Sequence, residues 1–495
     1  MKLKKFLFLL LFIGVINIPV IVDAAAANTA FNDENLYKCV IDNINEELHT
    51  NYDYDHSVTD EELGQLTGLY CSKYSGADYD NPPEPLYSTI TDFTGMEHMP
   101  NLEEINLSQS GATSIDLTHN TKLRIAVLRD SAFTNVDLSQ NTKLVRFFAQ
   151  NTHFTSLDFS HSDDLEYIVV SSNDLTTVNF GSINKVTYME LNCPKVSSID
   201  LTHFVDLNYL FFKSNYVTSI DLSNNSKLDT LYIGGAQVSS LDINNLSNLS
   251  VLHMFLDNIT SLDLTHNPKL YILDVHNDKI TNLDLSKNLD LGYLEIESDS
   301  LKSIDISKNT ELKDLVFLPT VVTTPIDFSH NTKLEQVIIN LYRNTATLDL
   351  SQNRKLKTLC VGLIDESNDY KLLLPSNVDV GIYGNITFEA TINFLKVRVD
   401  DPVGIYEGDT TNTYRPNFPS FTTKENGSTI VKLYSEDESI KRDITLVVTG
   451  AESVVEVPNT AITISKIYFI ASLILITTGF ALILNVVYEK PKEDN

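Results

Sequence analysis

Three groups of side chains in this sequence could do chemistry. The first is the window from Asn51 to Glu62, with oxygen donors at positions 1, 3, 5, 9 and 12. That is the spacing with which a twelve-residue loop wraps a calcium ion. Asn51 stands where Asp is usual, and His56 where the turn needs Gly. Asn51, Asp53, Asp55 and Glu62 therefore form either a calcium site or a merely acidic loop. The second group is a row of histidines: His119, His161, His203, His266 and His330. They share one place in a recurring phrase but skip copies of it, which suits solvated turns better than metal ligands. The third group is the four cysteines, too few in 495 residues for a disulfide scaffold. No hydrolase, phosphate-loop or zinc motif occurs, so no catalytic residue is assigned and a non-enzymatic role is expected.

The elements that must position these residues are set by a period. Asp116, Asp137, Asp158, Asp200, Asp221, Asp242, Asp263, Asp284 and Asp305 lie on one register of 21 residues, with Asn179 in the gap. Asp327 and Asp349 continue it at a spacing of 22. A fixed period in the twenties marks a solenoid, each repeat one turn that cannot bury its core alone. Within a repeat, Leu270, Leu273, Val275, Ile280 and Leu283 follow the leucine-rich-repeat spacing. Alternation at Leu273, Asp274 and Val275 predicts a short strand with one buried face. The pair recurs from Ile105 and Leu107 to Leu359 and Val361, which predicts thirteen parallel strands. Stacked, they make a concave sheet about 58 Å long. The Asn four places after each Asp recurs as Asn120, Asn141, Asn225, Asn267, Asn288, Asn309, Asn331 and Asn353. An inward amide there can bond backbone groups that the coil leaves unpaired.

Over residues 31 to 362 this pattern resembles the bacterial internalin-type leucine-rich-repeat surface proteins, especially their 21-residue class. The resemblance implies an α/β solenoid with a parallel β concave face and an irregular convex face. It also implies a role in adhesion. In that family an Asn or Cys ladder follows the strand. Here the place reads Asp130, Asn151, Ser172, Cys193, Ser214, Gly235, Leu256, Asn277, Ser298 and Pro319. That ladder is degraded, so an irregular turn is expected, with Cys193 a remnant rather than a reactive thiol.

A solenoid needs a polar lid on its first turn. Residues 31 to 90 fit that task, with a helix running to Leu48 and a second short helix opened by a capping box of Thr59 and Glu62. Cys39 and Cys71 both fall in this cap and are expected to form a disulfide. The repeats occupy 91 to 362. Beyond Cys360 the period stops, and residues 363 to 452 read as a small β-sandwich with strands at 386–390, 394–399, 429–434 and 444–448.

The ends point to export. Lys2, Lys4 and Lys5 precede an apolar run and then Ala24-Ala25-Ala26, the order of a secretory signal peptide over residues 1 to 26. Ile467 to Val487 carries no charge and as a helix would span about 31 Å, one bilayer crossing. Val457-Pro458-Asn459-Thr460-Ala461 just before it resembles a sortase signal, which implies that Thr460 is joined to the cell wall. Residues 453 to 495 are thus either a sorting signal or a plain membrane anchor. Everything between is expected outside the cytoplasm. A net charge of −30 repels phosphates and argues against nucleic acid as a partner.

Residues flanking the buried pair face out of the concave sheet. They gather Phe148, Tyr167, Tyr188, Tyr209, Phe211, Tyr232 and Phe255 into one aromatic field, beyond which Asp274, Glu295, Glu297 and Asp314 turn the face acidic. Grouped aromatics supply large contact area at low entropy cost. The expected function is a bacterial cell-surface adhesion protein that binds a protein of a host or neighbouring cell on this face. A glycan-binding module and a structural spacer without a ligand are the alternatives.

Overall fold

The computed structural model describes residues 30–72 and 89–363 apart from 236, 320, 321 and 342–346. Beyond them it describes 370–376, 378–383 and the strands 395–399, 406–407, 420–423, 427–435 and 441–449. The signal peptide, the strand expected at 386–390, Thr460 and the apolar span lie outside these residues. Among the described residues no helix is long and apolar enough to cross a membrane.

The chain opens with the helix Glu34–Glu47, one residue short of Leu48. Asp33 caps it: Oδ1 accepts from the Asn35 and Leu36 amides, while Oδ2 accepts from the Thr91 amide at 2.8 Å. One carboxylate therefore starts the helix and moors it to the first coil. Leu36, Cys39, Val40, Ile41 and Ile44 are wholly buried and lid the sheet at its first strand, Gly68–Tyr70. A disulfide joins Cys39 to Cys71, with Cα atoms 5.4 Å apart. Thr59 and Glu62 form the reciprocal box that opens the short helix Asp60–Leu63.

All thirteen strands expected from the alternation are present as one parallel ladder, from Glu104–Asn106 to Thr358–Leu363. Register repeats the sequence period: Tyr188 pairs with Tyr209, Leu273 with Leu294, and Asp314 with Gln336 where the spacing lengthens. Behind this sheet the convex side is mostly turns, with two short parallel pairs at Ser114–Asp116 with Asn135–Asp137 and at Ser156–Asp158 with Thr177–Asn179.

The Asp and Asn rows are architecture. Asp116 Oδ1 accepts from the Thr118 amide and hydroxyl at 2.9 and 2.6 Å. The same turn recurs down the row to Asp349, and Asn179 makes it with its amide oxygen. The inward Asn amides close the coil from inside. Asn288 Nδ2 donates to the Leu264 and Asn267 carbonyls at 3.0 and 2.9 Å, and Asn309 Nδ2 repeats this one turn on. Every Asn of that row is fully buried.

Two details go beyond the sequence pattern. The second ladder is degraded in sequence but only partly in chemistry. Ser172, Ser214 and Asn277 each donate to the carbonyl 18 residues earlier, that of Phe154, Val196 and Ile259. Serine and asparagine reach the same acceptor, so the row survives a change of residue type. The turn is irregular where Asp130 and Asn151 take positive φ and the register slips between Ala149 and Thr152. Gly235 belongs there because a Cβ would sit 2.2 Å from the Ser214 carbonyl oxygen.

The second concerns the end of the coil. The boundary at 362 falls inside the strand Thr358–Leu363, and the ladder runs on: Asp379–Tyr383 pairs parallel with that strand. On the other side Tyr370–Pro375 pairs parallel with Thr347–Asp349, and Lys441–Thr449 with Tyr370–Pro375. Strands 427–435 and 395–399 then add antiparallel, while 420–423 and 406–407 finish the concave sheet antiparallel. The strands described beyond the repeats pair onto both solenoid sheets. Edge pairing requires open N–H and C=O groups and an alternating apolar face, not a 21-residue period. Leu372, Leu374, Val378 and Val380 supply the buried face.

Asn288→Ala strands two carbonyls in a dry core and should cost about 2–4 kcal/mol. Asp284→Ala, at an exposed turn, should cost about 1 kcal/mol or less. Urea midpoints compare the two, and equal losses would refute the structural ranking.

Candidate functional site

The parallel register places Tyr167, Tyr188 and Tyr209 in line on three adjacent strands, and Phe211, Tyr232, His253, Asp274 and Glu295 in line on the next stripe. β-strand spacing then forces like side chains onto like. The Tyr167 and Tyr188 rings stack at 4.1 Å and 4°, and Tyr188 and Tyr209 at 4.3 Å and 5°. Phe211 stacks on Tyr232 at 4.3 Å, and Tyr232 on Phe255 at 5.2 Å. Phe148 lies 6.1 Å from Tyr167 and carries the Arg129 guanidinium 5.0 Å over its ring. All seven aromatics of the sequence reading are brought together.

Their exposure differs from expectation. Six are half-buried and Phe211 is only 9% exposed, because each ring covers its neighbour's face. Beneath them sits a polar node. Glu190 is buried and accepts a hydrogen bond from the Tyr188 hydroxyl. Burial pushes the Glu190 carboxyl above its ordinary range, against the pull of the Tyr188 hydrogen bond and the Arg129 charge. Burial likewise pushes the Tyr188, Tyr209 and Tyr232 hydroxyls up, so all three stay neutral donors.

The next turns hold a cluster that the sequence reading did not assemble. His253 Nδ1 lies 2.9 Å from Asp274 Oδ2, and His276 Nε2 lies 2.9 Å from Asp274 Oδ1. His276 Nδ1 lies 3.2 Å from Glu297, and the Tyr293 hydroxyl donates to Glu295. Burial works against a charged His276, but the contacts with Asp274 and Glu297 outweigh it and push the ring up to about 10. Burial and the Asp274 charge push Glu295 up. The signal was present at the same spacing: 253, 274 and 295 share one stripe, and 255, 276 and 297 the adjacent one. Each stripe read alone shows only scattered polar residues.

The other predicted sites fall out differently. Asn51, Asp53 and Asp55 are exposed, whereas Glu62 turns inward to the cap. Glu62 Oε2 accepts from the Thr59 amide at 2.8 Å, and Oε1 lies 3.1 Å from His56. Val58, at position 8 of that window, is fully buried in the core. Asp53, Asp55 and Glu62 do not converge: among the described residues the one His, Cys, Asp and Glu group with ligand atoms mutually within 4.8 Å is Asp274, His276 and Glu295. His119, His161, His203, His266 and His330 are all exposed. Cys193 is buried, and burial pushes its thiol up to about 12, where it is a poor nucleophile.

Because the Glu190 pKa is higher folded than unfolded, the contribution of its neutral form is full below the unfolded value. It is lost as pH rises through the folded value. Raising pH from 4 to 7 should therefore destabilise the native chain relative to Glu190→Gln, by at most about 1.4 kcal/mol per unit. Urea midpoints of the two proteins that run parallel across that range would contradict it.

No family model matches the chain, and no curated protein matches it. Among solved structures it is similar to the functional domain of InlJ from Listeria monocytogenes, described as including a cysteine ladder. That likeness has 22% identity and a TM-score of 0.53, and covers 86% of this chain and 98% of that one. The internalin InlF of the same species aligns at 20% identity and TM-score 0.47, over 69% of this chain and 92% of that chain. At the ladder position of this chain the cysteine occurs once, as Cys193. The likeness to InlJ and the parallel ladder together identify the fold: a leucine-rich-repeat solenoid with a helical N-terminal lid.

Proposed function

We propose that this chain is a non-enzymatic recognition protein of a bacterial surface, which binds a protein partner through the aromatic field of its concave face. The observation that carries the reading is the continuous set of stacked rings from Phe148 to Phe255 on a rigid parallel sheet. The rings are locked before binding, so little side-chain entropy is lost on contact. The resemblance to internalin-type surface proteins supports the same class.

The stacking also bears on the carbohydrate alternative. A sugar needs a free aromatic face, yet both faces of Tyr188 are covered, by Tyr167 at 4.1 Å and Tyr209 at 4.3 Å. A peptide surface can use ring edges, hydroxyls and the neighbouring acidic stripe instead. The partner is therefore a protein whose contact surface carries apolar and basic groups, complementary to this face.

In this reading the signal peptide exports the chain and residues 453 to 495 tether it, with Thr460 joined to the cell wall by a sortase. The support is the order of pentapeptide, apolar span and charged tail.

Two measurements test these statements. Labelled full-length protein is applied to panels of host and neighbouring bacterial cells that are untreated, protease-shaved or deglycosylated. Binding should be lost on shaving, kept on deglycosylation, and reduced at least about tenfold by Tyr167→Ala with Tyr209→Ala. Full binding by that folded double variant sinks the concave-face assignment; loss on deglycosylation alone favours the glycan reading, and no binding at all favours the spacer. Mass spectrometry of the surface form should find a C-terminus at Thr460, whereas one beyond residue 490 rules sortase processing out.

A further inference from the structure

We propose that Asp274, His276 and Glu295 bind one divalent metal ion of the zinc class at the acidic end of the concave face. The three residues come from two adjacent strands, Ile272–His276 and Tyr293–Ser298. Their ligand atoms converge, all within 4.8 Å of one another. His276 Nε2 is 2.9 Å from Asp274 Oδ1 and 4.0 Å from Glu295 Oε1. Two tetrahedral ligands at zinc distances lie about 3.3 Å apart, between those two values.

Each ligand is held by its other end. His253 Nδ1 lies 2.9 Å from Asp274 Oδ2, Glu297 lies 3.2 Å from His276 Nδ1, and the Tyr293 hydroxyl donates to Glu295 Oε2. A partner on the far atom of every ligand is how metal sites fix tautomer and carboxylate orientation. Three separate neighbours doing so around one point is more than a surface ion pair requires.

Asp274 is 6% exposed, and its buried Oδ1 faces His276 Nε2 at 2.9 Å. A metal ion on Nε2 would displace the proton that the ring holds toward Oδ1, since the imidazole ligates in its neutral form. Among the described residues neither Asp274 nor Glu295 pairs with Lys or Arg. A cation bound by all three atoms neutralises two buried carboxylates at once. One imidazole with two carboxylates suits zinc and its first-row neighbours better than calcium or magnesium, which favour all-oxygen shells. Three protein ligands leave a fourth position for water. Phe255 stacks on the His276 ring at 4.5 Å, so the site adjoins the aromatic field without depending on its role.

The test uses the full-length chain stripped of metal by chelator and titrated with zinc chloride in a calorimeter, with elemental analysis after dialysis. One zinc per chain at micromolar affinity or better is expected. His276→Ala should lose at least about a hundredfold in affinity, Glu297→Gln about tenfold, and the exposed His266→Ala nothing. Cobalt should give visible bands of a four- or five-coordinate site in the native chain and none in His276→Ala. Because that variant could misfold, circular dichroism checks it, and Glu297→Gln, which keeps all three ligands, reads the site without removing it. Absence of stoichiometric binding by the native chain overturns the proposal, whatever the variants do. So does binding that survives unchanged in His276→Ala.

Discussion

The constraint on which everything else rests is the fate of the backbone carbonyls at the inner bend of each coil. A solenoid turn has no helix or ladder partner at that bend, and an unpaired buried carbonyl costs about 1–3 kcal/mol. The Asn row answers it by donating from one amide nitrogen to two carbonyls, as Asn267 does to Ile243 and Leu246 at 3.0 and 2.9 Å. From Asn267 to Asn353 each member also bonds a bend carbonyl of the turn before, so neighbouring coils are locked in phase. Phase is what allows a residue 21 places away to land beside its counterpart.

Where that row lapses, packing takes over. Ser162, Ile183 and Phe204 fill the place between Asn141 and Asn225. There Phe159, Phe180 and Phe204 run through the core in contact, with ring centroids 6.2 and 5.1 Å apart. A coil with no amide to close it is closed by volume, at the density ordinary for protein interiors. The concave face lies over this same stretch, since Tyr167, Tyr188 and Tyr209 belong to the turns where the Phe column replaces the amides.

The face has two characters on one framework. Toward the first turns, aromatic rings shield a buried Glu190 that Tyr188 and Arg129 hold. Toward the later turns, Tyr293, His253 and Glu297 hold Glu295, Asp274 and His276. In both, the sheet does the positioning: a residue on one strand is fixed by a residue two places along or one strand across. Neither cluster relies on a loop, which keeps the geometry stiff.

The sequence alone determined the repeat, its strands, the buried pair in each and the Asp and Asn rows. Period is a property of the chain, and burial every second residue within it admits one architecture. It also determined which residues share a stripe, because stacking turns converts a spacing of 21 into adjacency. What only the tertiary structure decided is how side chains resolve once adjacent. Tyr167, Tyr188 and Tyr209 could have stood apart in solvent and instead cover one another. Glu62 could have faced an ion and instead closes a helix. Asp274 and His276 are unremarkable in their own stripes; two places apart on one strand, they meet Glu295 only because the next strand lies beside them. The same holds for the last coil, where Tyr370–Pro375 and Asp379–Tyr383 join by edge pairing after the period has gone. Backbone hydrogen bonds carry no residue identity, so a ladder can outlast the pattern that announced it.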